Sequence, residues 1–333
     1  MIEGGLQRAE GVRISVVIPA YNGQETIADC LRAVFAAKYP QELMEVIVVD
    51  DGSRDATPAI LEGLKGEGLP VAVIRQENRG AAGSRDRGVK AATGDIIFII
   101  SQDTFADPDW FASAAAEFAR DPRLGIVQGR IALTGPIRYP FYHAVELDRF
   151  VWNFPTAAIA YRAEALDRAG RYFDLAFSEY GDDTDVAWRI IEQGYGYKWL
   201  DQLTARHGVY PKSLWFNLRR SLQGPALFAL LVKRHPGIRQ LLLRGFLWST
   251  PRRLASTLLF LLGAALTLSA PSAGGTAMGL GVALGFYRHR GAGSRELPWG
   301  QRYLLVPLAA YACDILGFVA MLYGSLRYRS LVL

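Results

Sequence analysis

The sequence predicts an α/β head built on a mostly parallel sheet, followed by a C-terminal α-helical membrane region. Three observations predict it. From Ile14 to Ser101, short apolar strand signals alternate with helix signals, the pattern of a parallel sheet covered on both faces. Charge is unevenly divided: residues 211–333 hold 15 of the 37 Lys and Arg but two of the 32 acids, Glu296 and Asp314. That gives a net of +13 there and −8 over 1–210. Leu254 to Tyr287 is a run of 34 uncharged positions, where a helix crossing a bilayer needs about 20 apolar residues. The chain has 333 residues, half of them hydrophobic and 21% charged, which excludes a disordered or collagen-like chain. Its two cysteines, Cys30 and Cys313, stand 283 positions apart and offer neither a zinc spacing nor a disulfide framework. The chain reads as a head over 1–210, amphipathic juxtamembrane helices over 211–253 and hydrophobic transmembrane helices over 254–333.

Within the head, ISVVIPA is a β-branched strand, and ETIADCLRAVFAA sets Ile27, Leu31, Val34 and Phe35 at helical spacing. EVIVVDD is a second strand, and TPAILEGLK a helix with Pro58 in its first turn. VAVIRQ, SRDRGVKAA and DIIFIIS continue the alternation as strand, helix and strand. Ligands of such sheets bind beyond the carboxyl ends of the strands. The informative loops are therefore PAYNG, DDGSRD and SQDTFAD.

In the C-terminal region, Pro271 and Gly274–Gly275 interrupt the long uncharged run, making 254–287 either a tight hairpin of two short helices or one broken span. Residues 303–326 form a good span with one acid, Asp314, inside it. Arginines punctuate these runs: Arg252 and Arg253 before the first, Arg288, Arg290, Arg295 and Arg302 between them, Arg327 and Arg329 after the last. The positive-inside rule sets all three clusters in the cytoplasm, which an odd number of full passes does not allow. MIEGGLQRAEGVR has no apolar secretory core, so the head is expected on the cytoplasmic face of the cytoplasmic membrane. Over 211–250, Trp215, Phe216, Leu218, Leu222 and Leu227 interleave with Arg219, Arg220, Lys233 and Arg234. That pattern suits helices lying among membrane lipids at headgroup level, or equally helices packed on the head. No nucleic-acid-binding pattern accompanies the positive charge, so nucleic acid is not an expected partner.

In DDGSRD, Asp50 and Asp51 end a buried strand and Gly52 turns the chain; an Asx-turn accounts for one aspartate but not readily for two. In SQDT, Asp103 stands at another strand end, where a carboxylate can bind a hard divalent cation. Taken in order, ISVVIPAYNGQETIADCL, VIVVDDGSRDAT, NRGAAGSRDRGVKAATGDIIFIISQDT and EYGDDTDVAWRIIEQGY resemble the successive motifs of family 2 glycosyltransferases, over roughly 14–207.

The resemblance implies the GT-A fold, a nucleotide-diphospho-sugar donor, a divalent metal (Mn2+ or Mg2+) on the diphosphate, and inversion at the anomeric carbon. By motif position, Pro19, Tyr21 and Asn22 border the nucleotide, and Asp51 with Asp50 meets base or ribose. Gly80 and Arg85 belong to the segment that closes over the donor, where a guanidinium suits a diphosphate; a solvated helix residue is the plainer role for Arg85. The metal motif departs from the common Asp-x-Asp, reading Ser101-Gln102-Asp103 and leaving one direct carboxylate ligand. In LTARHGVY, His207 falls where a histidine of the family often approaches the metal or diphosphate, though an ordinary loop histidine fits as well.

GDDTDVAWRIIEQG opens a helix in which Asp182 or Asp183 can cap and Asp185 can pair with Arg189 at i,i+4. The resemblance makes the second acid of the opening pair, Asp183, the general base, with Asp182 replacing the usual Glu. Repulsion from Asp182 raises its pKa, while the helix and a metal lower it. The implied acceptor is a lipid-linked sugar or another glycan. A Rossmann-type dinucleotide domain is excluded by PAYNG, which stands where G-x-G-x-x-G is required. A non-catalytic membrane-bound scaffold that binds sugar nucleotides is the alternative that Ser101 favours and Asp51, Asp103 and Asp183 oppose.

Overall fold

The computed structural model describes residues 11–177, 180–245, 251–289 and 295–332. The N-terminal segment 1–10, Glu179 and Arg290, all used above, lie outside the described residues, as does the side chain of Arg252. The chain divides into two compact units: Met1–Thr134 with Ala144–Gly208, and Gly135–His143 with Val209–Leu333.

Unit one is built from β1 (Ile14–Ala20), α1 (Ile27–Phe35), β2 (Met44–Asp50), α2 (Thr57–Gly66), β3 (Val71–Arg75), α3 (Gly80–Ala91) and β4 (Ile96–Ile100). It continues through β5 (Thr104–Ala106), α4 (Trp110–Arg120), β6 (Leu124–Leu133), β8 (Ala158–Arg162), α5 (Ala163–Arg168), α6 (Asp182–Glu192) and β9 (Gly196–His207). These strands form one eight-stranded sheet in the order β3-β2-β1-β4-β8-β6-β9-β5. Its first four strands are parallel, as their continuous apolar runs require; β8 then enters antiparallel between β4 and β6.

Strand alternation divides the core into two layers. Val16, Ile18, Val46, Val48 and Phe98 point to one face, under α1, α2 and α4. Val17, Ile47, Val49, Ile97 and Ile99 point to the other, under Val89 of α3, Leu166 of α5 and Val186 and Ile190 of α6. Gly88 sets the closeness of α3 to the sheet, because a Cβ there would lie 2.2 Å from Val17 Cγ1. With both faces covered, the strand ends remain for chemistry.

Unit two joins a two-stranded pair, β7 (Tyr142–His143) and β10 (Tyr210–Pro211), to α7 (Leu214–Arg234), α8 (Pro251–Leu266), α9 (Pro271–His289) and α10 (Val306–Tyr328). Ser213 caps α7 by accepting the Phe216 N–H at 3.1 Å. The uncharged run 254–287 folds as two helices in a hairpin. Small residues let the two backbones touch: a Cβ on Gly274 would lie 2.5 Å from Thr267 N, and one on Gly281 2.7 Å from Phe260 N. Within the described part of 211–250, Leu214–Arg234 forms one helix of 21 residues. Within this unit α7 packs along α10, where a Cβ on Gly324 would meet the Ala226 carbonyl at 2.2 Å. Phe228, Leu231 and Val232 of α7 are buried, while Trp215 is 69% exposed. Among the described residues one helix, Gln301–Tyr328, is long and apolar enough to cross a bilayer, with a mean hydropathy of 2.0.

Candidate active site

The loops that follow β1, β2 and β4 are tied to one another by side chain to backbone hydrogen bonds. Asn22, at the left-handed φ of 49° that asparagine tolerates, receives the Arg54 N–H on its Oδ1 at 2.9 Å. Its own N–H donates to Ser53 Oγ at 2.9 Å, and Gly23 N–H to Thr57 Oγ1 at 2.8 Å. Gln102 binds both main-chain groups of Tyr21: Oε1 accepts the N–H at 2.9 Å and Nε2 donates to the carbonyl at 3.2 Å. Gln102 is thus a latch between the first and fourth strand ends, a role its motif position did not reveal.

The two leading aspartates of DDGSRD, Asp50 and Asp51, are both buried and both bonded within the protein. Asp50 makes the expected Asx contact to Ser53 N at 2.9 Å and lies 3.5 Å from Arg75 Nε. Asp51 accepts Gln76 Nε2, Arg79 N and Gly80 N, each at 2.8 Å. It therefore caps α3 from across the sheet, and Gly80 takes the positive φ of 77° that this approach needs. The aspartates shape the wall of a cleft whose lining is Tyr21, Gly52, Arg54, Arg75 and Gln76–Asn78, about 740 Å³ in volume. Of the expected nucleotide neighbours Tyr21 is 44% exposed there, whereas Pro19 is part of β1, paired with Val49.

At the far end of the strand row, β5 pairs antiparallel with β9 and puts Thr104 opposite His207. This register brings Asp103 and His207 together, His207 Nε2 lying 3.4 Å from Asp103 Oδ1. His207 Nδ1 donates to the Gly208 carbonyl at 2.7 Å, which leaves Nε2 as the ring nitrogen facing the carboxylate. A carboxylate beside an imidazole is a pair of groups of the kind that bind divalent cations, although no cluster of three or more such ligands occurs among the described residues. Ser101 contributes its backbone, donating to Ala157 O at 3.1 Å and accepting from Thr104 N at 2.9 Å.

The third group opens α6. Gly181, at φ 92°, turns the chain so that Asp182 and Asp183 enter the helix side by side. Arg85 does not lie free for a diphosphate: its Nη1 is 2.6 Å from Asp182 Oδ2, and the pair is 17% and 8% exposed. Nor is Asp182 the cap. Asp183 Oδ1 takes the Thr184 N–H at 2.8 Å, while Asp185 pairs with Arg189 at 2.9 Å as its spacing requires. Burial, and then the charge of Asp182, push the half-buried Asp183 carboxyl up to about 7 against the pull of Arg85 and the Thr184 and Thr156 N–H groups. Tyr161 of β8 adjoins these charges; it is fully buried and its pKa is pushed well up, first by burial and then by Asp183.

This sheet, with its polar loops gathered at the strand ends and an acidic helix start beside them, has the architecture of a GT-A glycosyltransferase domain. Residues 15–168, a little under half of the chain, match the glycosyl transferase family 2 model. Among curated proteins it is 37% identical over 116 residues to the poly-beta-1,6-N-acetyl-D-glucosamine synthase of Staphylococcus aureus (strain COL), covering 35% of this chain and 28% of the relative. With the synthase of the same name from Staphylococcus epidermidis it shares 26% identity over 265 residues, 75% of this chain and 60% of the relative. The chain thus spans less than two thirds of these relatives' lengths. Among solved structures, mannosyltransferase PcManGT from Pyrobaculum calidifontis, in complex with GDP-Man and Mn2+, has a TM-score of 0.55 at 22% identity, covering 96% of this chain and 87% of that one. TarS 1–349 of S. aureus, in complex with UDP-GlcNAc, gives 0.55 at 17% identity, covering 96% and 92%.

Proposed function

We propose that this protein transfers a sugar from a nucleotide-diphospho-sugar to a lipid-linked or glycan acceptor, with inversion, at the cytoplasmic face of the cytoplasmic membrane. The observation that carries the reading is Asp183, an accessible carboxyl with its pKa raised to about 7 at the start of α6. A base of that proton affinity takes the acceptor hydroxyl's proton near neutral pH as the oxygen attacks the anomeric carbon. Arg85 holds Asp182 and tempers the proton affinity of Asp183. The cleft beside Tyr21 and Asn78 takes the nucleoside, between walls that Asp50, Asp51 and Gln102 keep in place. Asp103 and His207 would hold a divalent metal such as Mn2+ or Mg2+. When bound, such an ion supplies positive charge against the donor's diphosphate. The solved relatives bound to GDP-Man and UDP-GlcNAc support a nucleotide-sugar donor, and the apolar helix Gln301–Tyr328 supports membrane attachment.

The test is a melting-temperature screen of the full chain in neutral detergent against UDP-, GDP- and dTDP-sugars, with and without Mn2+, followed by transfer assays with the stabilising donor. A Mn2+-dependent rise that Asp103→Ala abolishes is expected. A rise indifferent to both Mn2+ and Asp103 defeats the metal assignment. No response to any donor defeats the sugar-transfer reading.

A further inference from the structure

Around the acid pair that opens α6, Arg85 Nε, Tyr161 Oη and Thr156 Oγ1 are buried with no hydrogen-bond partner among the described residues. Each comes to the pair by a separate route. Arg85 spends Nη1 on Asp182 and leaves Nε over. Thr156 gives its N–H to Asp183 while its hydroxyl stays unmatched. Tyr161 stands on the face of β8 covered by α3 and α6, the helices that carry Arg85 and Asp183. A buried donor or acceptor left unpaired destabilises a fold, which is why few are kept. Tyr161 is completely buried, and phenylalanine would fill the same space without that burden.

These groups are complementary in kind. Arg85 Nε only donates, a phenol both donates and accepts, and an ionised carboxylate only accepts. Ionised Asp183 has room for more donors than the Thr184 and Thr156 N–H groups supply. The charged groups facing this spot are Asp182, Asp185 and Arg189 on α6 and Arg85 on α3. Asp182 opposes ionisation of Asp183, and Arg85, which favours it, is already bonded to Asp182. Burial, and then the charge of Asp183, keep the proton on Tyr161, so the phenol serves as a donor and releases nothing itself.

We propose that Tyr161 is a positioning residue for the base: its hydroxyl accepts the Arg85 Nε–H and donates to the ionised Asp183 carboxylate, directly or across one buried water. Thr156 Oγ1 offers a second donor to the same carboxylate. This role presupposes Asp183 as the general base. Asp183 takes the acceptor's proton, while Tyr161 keeps its own and favours the ionised form that can take it.

Tyr161→Phe removes one oxygen and keeps the packing, and it is compared with wild type as the full chain in neutral detergent. The first readout is the pH profile of nucleoside diphosphate release from the donor that the melting screen selects. Losing a donor to a carboxylate raises its pKa, so the acid limb should move up by about one pH unit. Rates below the limb should then fall about tenfold, with KM for the donor unchanged. The second readout needs no turnover: the gap in melting temperature between Asp183 and Asp183→Asn chains, followed with pH on both backgrounds. That gap should go on widening to a pH about one unit higher when the hydroxyl is absent. Placing 3-fluorotyrosine at position 161 strengthens the donor and should move both readouts downward, which keeps the comparison open should Tyr161→Phe not fold. A melting gap that moves while the limb stays refutes Asp183 as the base, and the positioning role with it. An unmoved melting gap overturns the Tyr161 contact and leaves the sugar-transfer reading untouched.

Discussion

Replacing Asp183 by asparagine separates its chemical role from its structural one. Asparagine keeps the size of the side chain and an Oδ1 that can still accept the Thr184 N–H now held at 2.8 Å. What disappears is a carboxyl whose pKa rises from 3.8 in the unfolded reference to about 7 in the fold. Between those values the folded wild type holds a proton that the unfolded chain has released, so its stability falls as pH rises through this window. At 1.36 kcal/mol per unit the penalty above pH 7 has a ceiling of about 4 kcal/mol, and partial exposure of the side chain brings the working figure to about 2 kcal/mol. Asp183→Asn escapes this penalty. Near pH 4 the variant and wild type should melt together, and above pH 7 the variant should melt about 4–8 °C higher. Transfer at saturating donor should meanwhile fall about 100- to 10,000-fold, with donor binding retained. Melting curves at pH 4, 6 and 8 and initial rates on the same preparations make the comparison. A variant that transfers sugar at near wild-type rate refutes the base assignment. One that melts like wild type at every pH refutes the half-buried, proton-holding carboxyl from which that assignment was argued.

Arg85→Gln removes the partner of Asp182 in a pair 17% and 8% exposed; it should cost about 3–5 kcal/mol in denaturant melts. The same change should move the acid limb of the pH–rate profile upward, because Arg85 is the charge that lowers Asp183; an unmoved limb counts against their coupling. In the hairpin, Gly285→Leu would drive a Cβ to within 2.2 Å of Tyr311 Cδ2 and break the 2.9 Å bond from Tyr311 Oη to Ser256 O. Overpacking of this kind costs about 1–3 kcal/mol, and adding Tyr311→Ala should recover part of it in a double-mutant cycle read by melting in detergent.

The first half of the sheet was legible because β1, β2 and β4 are continuous apolar runs and the helices between them keep an apolar stripe at regular spacing. The second half was not. β9 spells GYKWLDQLTARH, a strand exposed at half of its positions, with no continuous apolar run to betray it. The pairings that make the site are equally silent locally. His207 meets Asp103 only through the β5–β9 register, and Arg85 meets Asp182 across 97 positions of chain. The motif resemblance named these residues without saying what each touches, and for that reason it assigned Arg85 to the donor and Asp51 to base or ribose. In the fold Asp51 sits 3% exposed with three N–H groups on its carboxylate. His289 had no motif at all, since its partner Asp314 lies 25 positions away on another helix.

The two hydrogen bonds between Gln102 and the backbone of Tyr21, together with those of Asn22 to Ser53 and Arg54, join the three strand-end loops into one frame. A Cβ on Gly23 would meet Gln102 Oε1 at 2.4 Å and displace the amide end that holds Tyr21, so a change at Gly23 disturbs the latch. On the proposed reading, in which the adjoining cleft takes the nucleoside, descendants of this chain inherit a platform whose parts are coupled. Their freedom to take up a new nucleotide lies instead on the open rim, where the side chains of Arg54, Glu77 and Asn78 line the cleft. Divergence of donor preference should accumulate along that rim while the frame beneath it stays constant.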